Sequence, residues 1–364
     1  ITITDNDTSS GVAEFSPTAA GVYSMVLSAG NLQILQGVTV VSQTPLANVG
    51  SLVFNGTSGD DTFKVDFSGG NPVPAGGITV NGAGQSGSGD TLELVNVPIS
   101  FTTHTYNYTN ANDGNVVLNN GSADFTINYT GLEPVTNDGT ADDIIFNLPG
   151  TTDSTIALSD QGGGVARLAS TIPTFELTDF AYPAAGGSIT LNLGANNQVI
   201  TVNSLALNAN TDLIIDGEGG SDTINLNVSG GLTVTDDLIL SAETINQSQL
   251  ISVAGNTTLD AGATGTIDLS LFNNLITELE GLETMQELSA LSVGNNQIAA
   301  LESVKYLRQI PSVRILNLAG NPIDDFGDYE ISIWVDDAEE IGDRICFGDH
   351  ETKLTFPPSV SPLA

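Results

Sequence analysis

The sequence predicts a mainly β protein: a β-solenoid-like repeat array followed by a second, shorter solenoid. Three observations carry this. Residues 59–70 and 220–231 align without a gap, 161 positions apart, and six of the twelve positions are identical. Within that unit Phe63/Ile224, Val65/Leu226 and Phe67/Val228 recur at every second position, the period of a strand with one buried face. From Leu52 to Gly265 short apolar runs follow one another, split by Gly, Asn, Asp and Ser, with almost no helical periodicity. Finally, the pattern L-x-L-x-x-N-x-I occurs three times after residue 265. Turn–strand–turn units that recur in this way point to stacked architecture rather than to a closed enzyme fold.

The opening segment Ile1-Thr2-Ile3-Thr4-Asp5-Asn6-Asp7 alternates and ends in an acidic turn. It resembles the closing strand of Calx-beta repeats, which implies that residues 1–10 are the tail of a preceding calcium-dependent β-sandwich. A first residue other than Met agrees with a piece of a longer protein. Residues 11–264 form the main array. Val22–Leu27, Leu32–Leu35 and Val38–Val41 are strands parted by Ala29-Gly30-Asn31 and by Gln36-Gly37. Farther on, Ile189–Leu193, Val199–Val202, Leu213–Ile215, Leu238–Leu240 and Ile251–Val253 continue the series. Tandem β-sandwiches are the rival architecture, above all over 11–135, where the spacing is uneven. With phrases such as Thr258-Leu259-Asp260-Ala261-Gly262, the region resembles the passenger regions of large bacterial surface proteins, hemagglutinin-like adhesins among them. That resemblance implies a secreted or cell-surface protein.

Residues 265–325 change texture. Leu269–Ile276, Leu291–Ile298 and Leu316–Ile323 carry the three motif copies, with Asn274, Asn296 and Asn321 spaced by 22 and 25 residues. They resemble the short class of leucine-rich repeat found in bacterial internalins and in eukaryotic phosphatase-regulatory and ciliary proteins. The resemblance implies that each asparagine satisfies backbone groups buried in the stack. It also implies a concave sheet on which Phe272, Ser292 and Asn317 face a partner. Ile267, Leu269 and Leu271 are expected to form the strand where one array passes into the other. Residues 326–364 are read as a cap and C-terminal tail, since Asn321-Pro322-Ile323 and Asp328-Tyr329 resemble the start of such a cap. Ile331–Val335 alternates like a strand where the family carries a helix.

Composition narrows the functions. Forty-three acidic residues face seven basic ones, a formal charge of −36. That field disfavours nucleic acid and anionic lipid. No apolar run reaches the ~20 residues of a membrane-spanning helix, so no membrane insertion is expected. Only 14% of residues are charged, so the polar surface must be built from Asn, Thr, Ser and Gly. Cys346 is the one cysteine, which excludes an intrachain disulfide and a cysteine-based metal site.

Calcium is the cofactor the motifs suggest. Gly217–Ile224 resembles the RTX nonapeptide, in which glycine-rich turns and an Asp hold calcium; Asp222 is its ligand candidate, with Asp61 and Asp90 in looser copies. Their separations of 29 and 132 residues are not those of tandem nonapeptides, and an isolated Gly-Asp turn also reads as a tight turn. No catalytic residue stands out. His104, at a polar position of an alternating strand, is expected to be exposed, and His350 to lie in a surface loop. Gly162-Gly163-Gly164 lacks a following Lys-Ser/Thr and is a turn rather than a phosphate loop. The expected function is therefore a non-catalytic extracellular spacer or adhesive surface for a protein or glycan partner. Two alternatives stand beside it. One is a carbohydrate-active enzyme on a β-helix, for which Lys64 and Arg167 are the only bases before residue 300. The other is a leucine-rich-repeat regulatory or scaffold protein fused to a solenoid.

Overall fold

Strands account for about half of the described residues in a computed structural model, which contains large multi-stranded sheets and, among those residues, no α-helix. The structure describes residues 11–353 apart from 85–88, 99–100, 151, 171–173, 227–230, 248, 250, 263–264, 272–275, 281, 283–284, 286–287, 301–302, 304–305, 308, 311, 326–343 and 348–349. The expectations for residues 1–10, Phe272, Asn274 and most of the cap and tail fall outside the described residues. No helix among those described is long and apolar enough to cross a membrane.

In chain order the first strands are β1 (Gly11–Phe15), then β2 (Val22–Ser28), β3 (Asn31–Gln36) and β4 (Thr39–Pro45). Single strands follow: β5 (Val49–Asn55), β6 (Thr62–Asp66), β7 (Ile78–Asn81) and β8 (Thr91–Val95). Next come β9 (Thr103–Tyr108), β10 (Gly114–Asn119), β11 (Asp124–Thr130), β12 (Val135–Asn137) and β13 (Asp143–Asn147). Then β14 (Ser154–Gly162), β15 (Val165–Ser170) and β16 (Thr178–Ala181) lead to β17 (Ser188–Asn192), β18 (Gln198–Ser204) and β19 (Asp212–Asp216). The remainder are β20 (Thr223–Leu226), β21 (Leu232–Val234), β22 (Leu238–Ser241), β23 (Thr244–Gln247), β24 (Ile251–Val253), β25 (Thr257–Asp260), β26 (Thr266–Ser270), β27 (Leu288–Ser292), β28 (Ile315–Asn317), β29 (Arg344–Phe347) and β30 (His350–Lys353).

Two compact units arise from these strands. The first comprises Ile1–Asp222, Thr233–Ile239 and Ser252–Thr258; the second comprises Thr223–Leu232, Leu240–Ile251 and Leu259–Ala364.

The first unit has two facing sheets between which the chain alternates. One sheet runs β1-β5-β7-β11-β10-β9-β13-β17-β19. The other runs β4-β3-β2-β6-β8-β12-β16-β15-β14-β18. Consecutive single strands lie on opposite sheets, so each sheet neighbour comes from the turn before and the pairing is parallel. Leu52 stands beside Ile78, and Phe63 beside Leu92. Three excursions break the rule. β2–β4, β9–β11 and β14–β16 are antiparallel triplets that place three strands side by side in one sheet.

Period-two burial builds the core. In β17 Ile189 and Leu191 are buried while Ser188, Thr190 and Asn192 are half-exposed. The inward side chains of the two sheets meet as rings: Phe54 on β5 stacks on Phe63 of β6 at 4.4 Å, and Phe146 on β13 meets Phe180 of β16 edge-on at 4.8 Å. Glycine is needed where turns tighten. Gly162, Gly163 and Gly164 all have positive φ and form the β14–β15 hairpin turn. At Gly187 any side chain would collide with the Asp142 carbonyl, which accepts the Ser188 N–H at 3.1 Å.

In the second unit β20, β23, β26, β27, β28 and β29 pair parallel in that order, and β30 closes on β29 as a hairpin. β26 therefore has β23 on one side and β27 on the other, and it ends at Ser270. Leu269, Leu291 and Leu316, the first leucines of the three motif copies, stand side by side across β26–β28.

Phe54 is buried against Phe15, Tyr23 and Phe63. Phe54→Ala is expected to cost about 3–5 kcal/mol, read as a lower midpoint of chemical denaturation at unchanged slope.

Candidate functional site

Asp61, Asp90 and Asp222 are buried, and each stands one residue before a strand: β6, β8 and β20. The N–H groups at such corners have left one strand ladder without joining the next, and when buried they need an acceptor. Asp61 Oδ1 accepts the Gly21 N–H at 2.8 Å, and Asp90 Oδ1 accepts the Asp61 N–H at 2.6 Å. Because β2, β6 and β8 are neighbours, this forms a column Gly21–Asp61–Asp90 along the corner. Asp222 Oδ1 likewise accepts the N–H of Gln198, the first residue of β18, at 2.7 Å. The aspartates shared by the two halves of the sequence repeat thus hold equivalent backbone groups.

Sequence reasoning missed three more carboxylates in related use. Asp153, just before β14, takes the Asn197 N–H at 3.1 Å. Asp237, just before β22, takes the Asn256 N–H at 2.6 Å. Asp212, the first residue of β19, takes the Asp237 N–H at 2.9 Å. These three lack the signal that marks the others: an Asp directly before Thr and then an apolar residue, as in Asp61-Thr62-Phe63, Asp90-Thr91-Leu92 and Asp222-Thr223-Ile224.

Asp61 is poorly disposed as a calcium ligand. Calcium takes six to eight oxygens, yet both Asp61 oxygens are engaged, Oδ2 by the Thr57 N–H at 2.6 Å and the Thr57 hydroxyl at 2.9 Å. Among the described residues no three or more His, Cys, Asp or Glu side chains are grouped to hold a metal. Asp90 is the exception in detail. Its Oδ2 is buried with no hydrogen-bond partner among the described residues. Burial, with the nearby Asp61 and Asp60 charges, pushes its carboxyl up although the Asp61 N–H opposes this.

Asparagines form a second set of ladders, mostly at the last residue of a strand rather than just ahead of its first. Asn147 Nδ2 donates to Asn107 Oδ1 at 2.6 Å, Asn192 to Asn147 at 2.7 Å, and Asn107 to Asn115 at 2.8 Å. Asn81 donates to Asn55 at 2.7 Å and accepts from the Thr130 hydroxyl at 3.1 Å. Stacked amides satisfy one another across parallel strands. Both basic side chains of this unit are also engaged with the adjoining strand: Lys64 pairs with Glu93, and Arg167 holds Asp179 with two bonds of 2.6 and 2.8 Å.

The core contains polar groups where the sequence led us to expect exposure. His104 is fully buried, a correction to the surface reading, because it shares an inward face with Tyr106 and Tyr108. Asn137 of β12 bridges the sheets: its Nδ2 donates to the Tyr106 hydroxyl at 2.9 Å and lies 3.2 Å from His104 Nδ1. Burial holds the imidazole down at about 4. Nearby, the Tyr108 hydroxyl donates to Thr178 Oγ1 at 2.7 Å, and Thr178 donates to the Glu176 carbonyl at 3.3 Å. The Glu176 carboxyl is buried, and its Oε2 has no hydrogen-bond partner among the described residues. Burial, reinforced by Glu133, pushes it up to about 9.

In the second unit Asn296 and Asn321 are buried and bind the stack from within. Asn296 Nδ2 donates to the Leu271, Val293 and Gly294 carbonyls at 2.7–3.2 Å while its Oδ1 accepts the Ile276 N–H at 3.0 Å. Asn321 repeats this with the Val293 and Leu318 carbonyls, both at 2.8 Å, and the Ile298 N–H at 3.0 Å. Ser292 and Asn317 are cross-strand neighbours, joined by an Asn317 Nδ2 to Ser292 Oγ bond of 3.2 Å. Two positions before Asn317 stands Ile315, 60% exposed, a large apolar side chain that sequence reasoning did not single out. His350 opens β30 opposite Phe347 rather than lying in a loop.

Asp61→Ala would leave the Gly21 and Thr57 N–H groups unpaired and is expected to cost about 1–3 kcal/mol, measured by chemical denaturation. The two buried titratable groups act in opposite directions with pH. His104, depressed from 6.5 to about 4, contributes stability above 6.5 that is lost as pH falls towards 4. Glu176, raised from 4.5 to about 9, contributes stability below 4.5 that is lost as pH rises towards 9. Glu176→Gln should therefore raise the melting temperature at pH 8, the gain shrinking by at most about 1.4 kcal/mol per pH unit as pH falls towards 4.5. Comparison with protein-family models, curated proteins and solved structures finds no match for this chain.

Proposed function

We propose that this is a non-catalytic repeat protein of a bacterial surface or the extracellular space. In this reading a β-solenoid over residues 11–264 continues into a leucine-rich array over 265–325. The protein serves as a spacer or as a surface for a protein or glycan partner.

One observation carries the reading: the residues that stand out in the sequence are occupied in joining one strand to the next. Asp61, Asp90 and Asp222 hold corner N–H groups, Asn296 and Asn321 hold stacked carbonyls, and Lys64 and Arg167 are ion-paired. A lyase base would have to come from those last two. Parallel pairing of β1, β5 and β7 and of β2, β6 and β8 supports a solenoid over tandem sandwiches, whose strands pair antiparallel. The face carrying Ser292, Asn317 and the exposed Ile315 is the surface offered to a partner.

Incubation with neutral and acidic polysaccharides is expected to yield no new reducing ends and no unsaturated uronates; turnover above a heat-inactivated control would overturn the reading. Melting with and without a chelator is expected to give one midpoint. A drop with chelator would show instead that a divalent cation stabilises the fold.

A further inference from the structure

We propose that β4 is a docking edge for a second copy of this chain, the two β4 strands pairing antiparallel about a two-fold axis. Among the described residues β4 pairs with β3 alone, so its outer backbone groups lie at a sheet edge. Three valines crowd that edge: Val38 is 95% exposed, Val40 44% and Val41 39%. The pairing with β3 slips between Val40 and Ser42, which leaves Val41 unmatched. Pro45 ends the strand without a donor, so Thr39–Thr44 is the usable edge, about 20 Å long.

Charge selects the occupant. Residues 15–59 contain no Asp, Glu, Lys, Arg or His, in a chain whose net charge is −36. Natural edges are commonly blunted by charged side chains, bulges or proline; this one has the slip at Val41 and the terminal Pro45 but no charge. A basic partner would be drawn by the field to the acidic surfaces elsewhere. Two copies repel each other over those same surfaces, and the neutral β2–β4 triplet is where they can approach without that cost. An antiparallel strand paired with its own copy is self-complementary, so the valines of one edge meet those of the other. Such an interface is small and reversible.

Sedimentation equilibrium on the intact chain tests this. The expected result is a monomer–dimer equilibrium that tightens several-fold from about 0.05 to about 0.5 M NaCl, because salt screens the like charges. Val41→Glu should abolish the dimer, while Val199→Glu, at an exposed valine on β18, should leave it intact; circular dichroism checks that both fold. A monomer at every concentration and salt level would overturn the proposal. So would a dimer that weakens with salt, or one that Val41→Glu does not change.

Discussion

Every time the chain turns a corner between the facing sheets, a backbone N–H leaves one ladder before joining the next. The rest of the structure depends on satisfying that group away from water. A carboxylate one residue ahead of a strand does this well, because it is short, accepts several donors and makes a charge-assisted bond. Asp61, Asp90 and Asp222 each reach the strand beside their own. Several of the acidic residues are therefore mortar between layers, and that share of the negative charge is a by-product of how corners are sealed. It is not by itself a sign of a ligand.

The local pattern was legible; the pairing was not. Alternation at Ile189/Leu191 or Phe63/Val65 states which side chains turn inward, and the repeated dodecapeptide places equivalent strands. Which strand lies beside which is absent from the pattern, since Leu52 and Ile78 are neighbours only because β6 lies on the other sheet. The antiparallel triplets betray themselves partly, through turns such as Ala29-Gly30-Asn31. Their effect on strand order does not show.

The candidate site was read unevenly for physical reasons. Asn296 and Asn321 sit at fixed positions in a motif, so their backbone-binding role could be anticipated. His104 was misplaced because Thr-His-Thr-Tyr-Asn-Tyr offers polar residues on both faces, and the tyrosines decide which face goes inward. Glu176 lies outside any strand, and no periodicity announces that it is buried. The aspartates were noticed for their glycines, which belong to the turn, whereas each also accepts a backbone N–H 24–40 residues away.

The three triplets also bear on how such a chain reaches its native state. Contacts within β2–β4, β9–β11 and β14–β16 close loops of a few residues, whereas each parallel neighbour of a single strand requires a loop several times longer. Short loops cost less entropy and form faster. The triplets are accordingly the natural nuclei, and the single strands can be laid down against edges that already exist. A chain otherwise dominated by distant, slow pairings carries three internal starting points along its length.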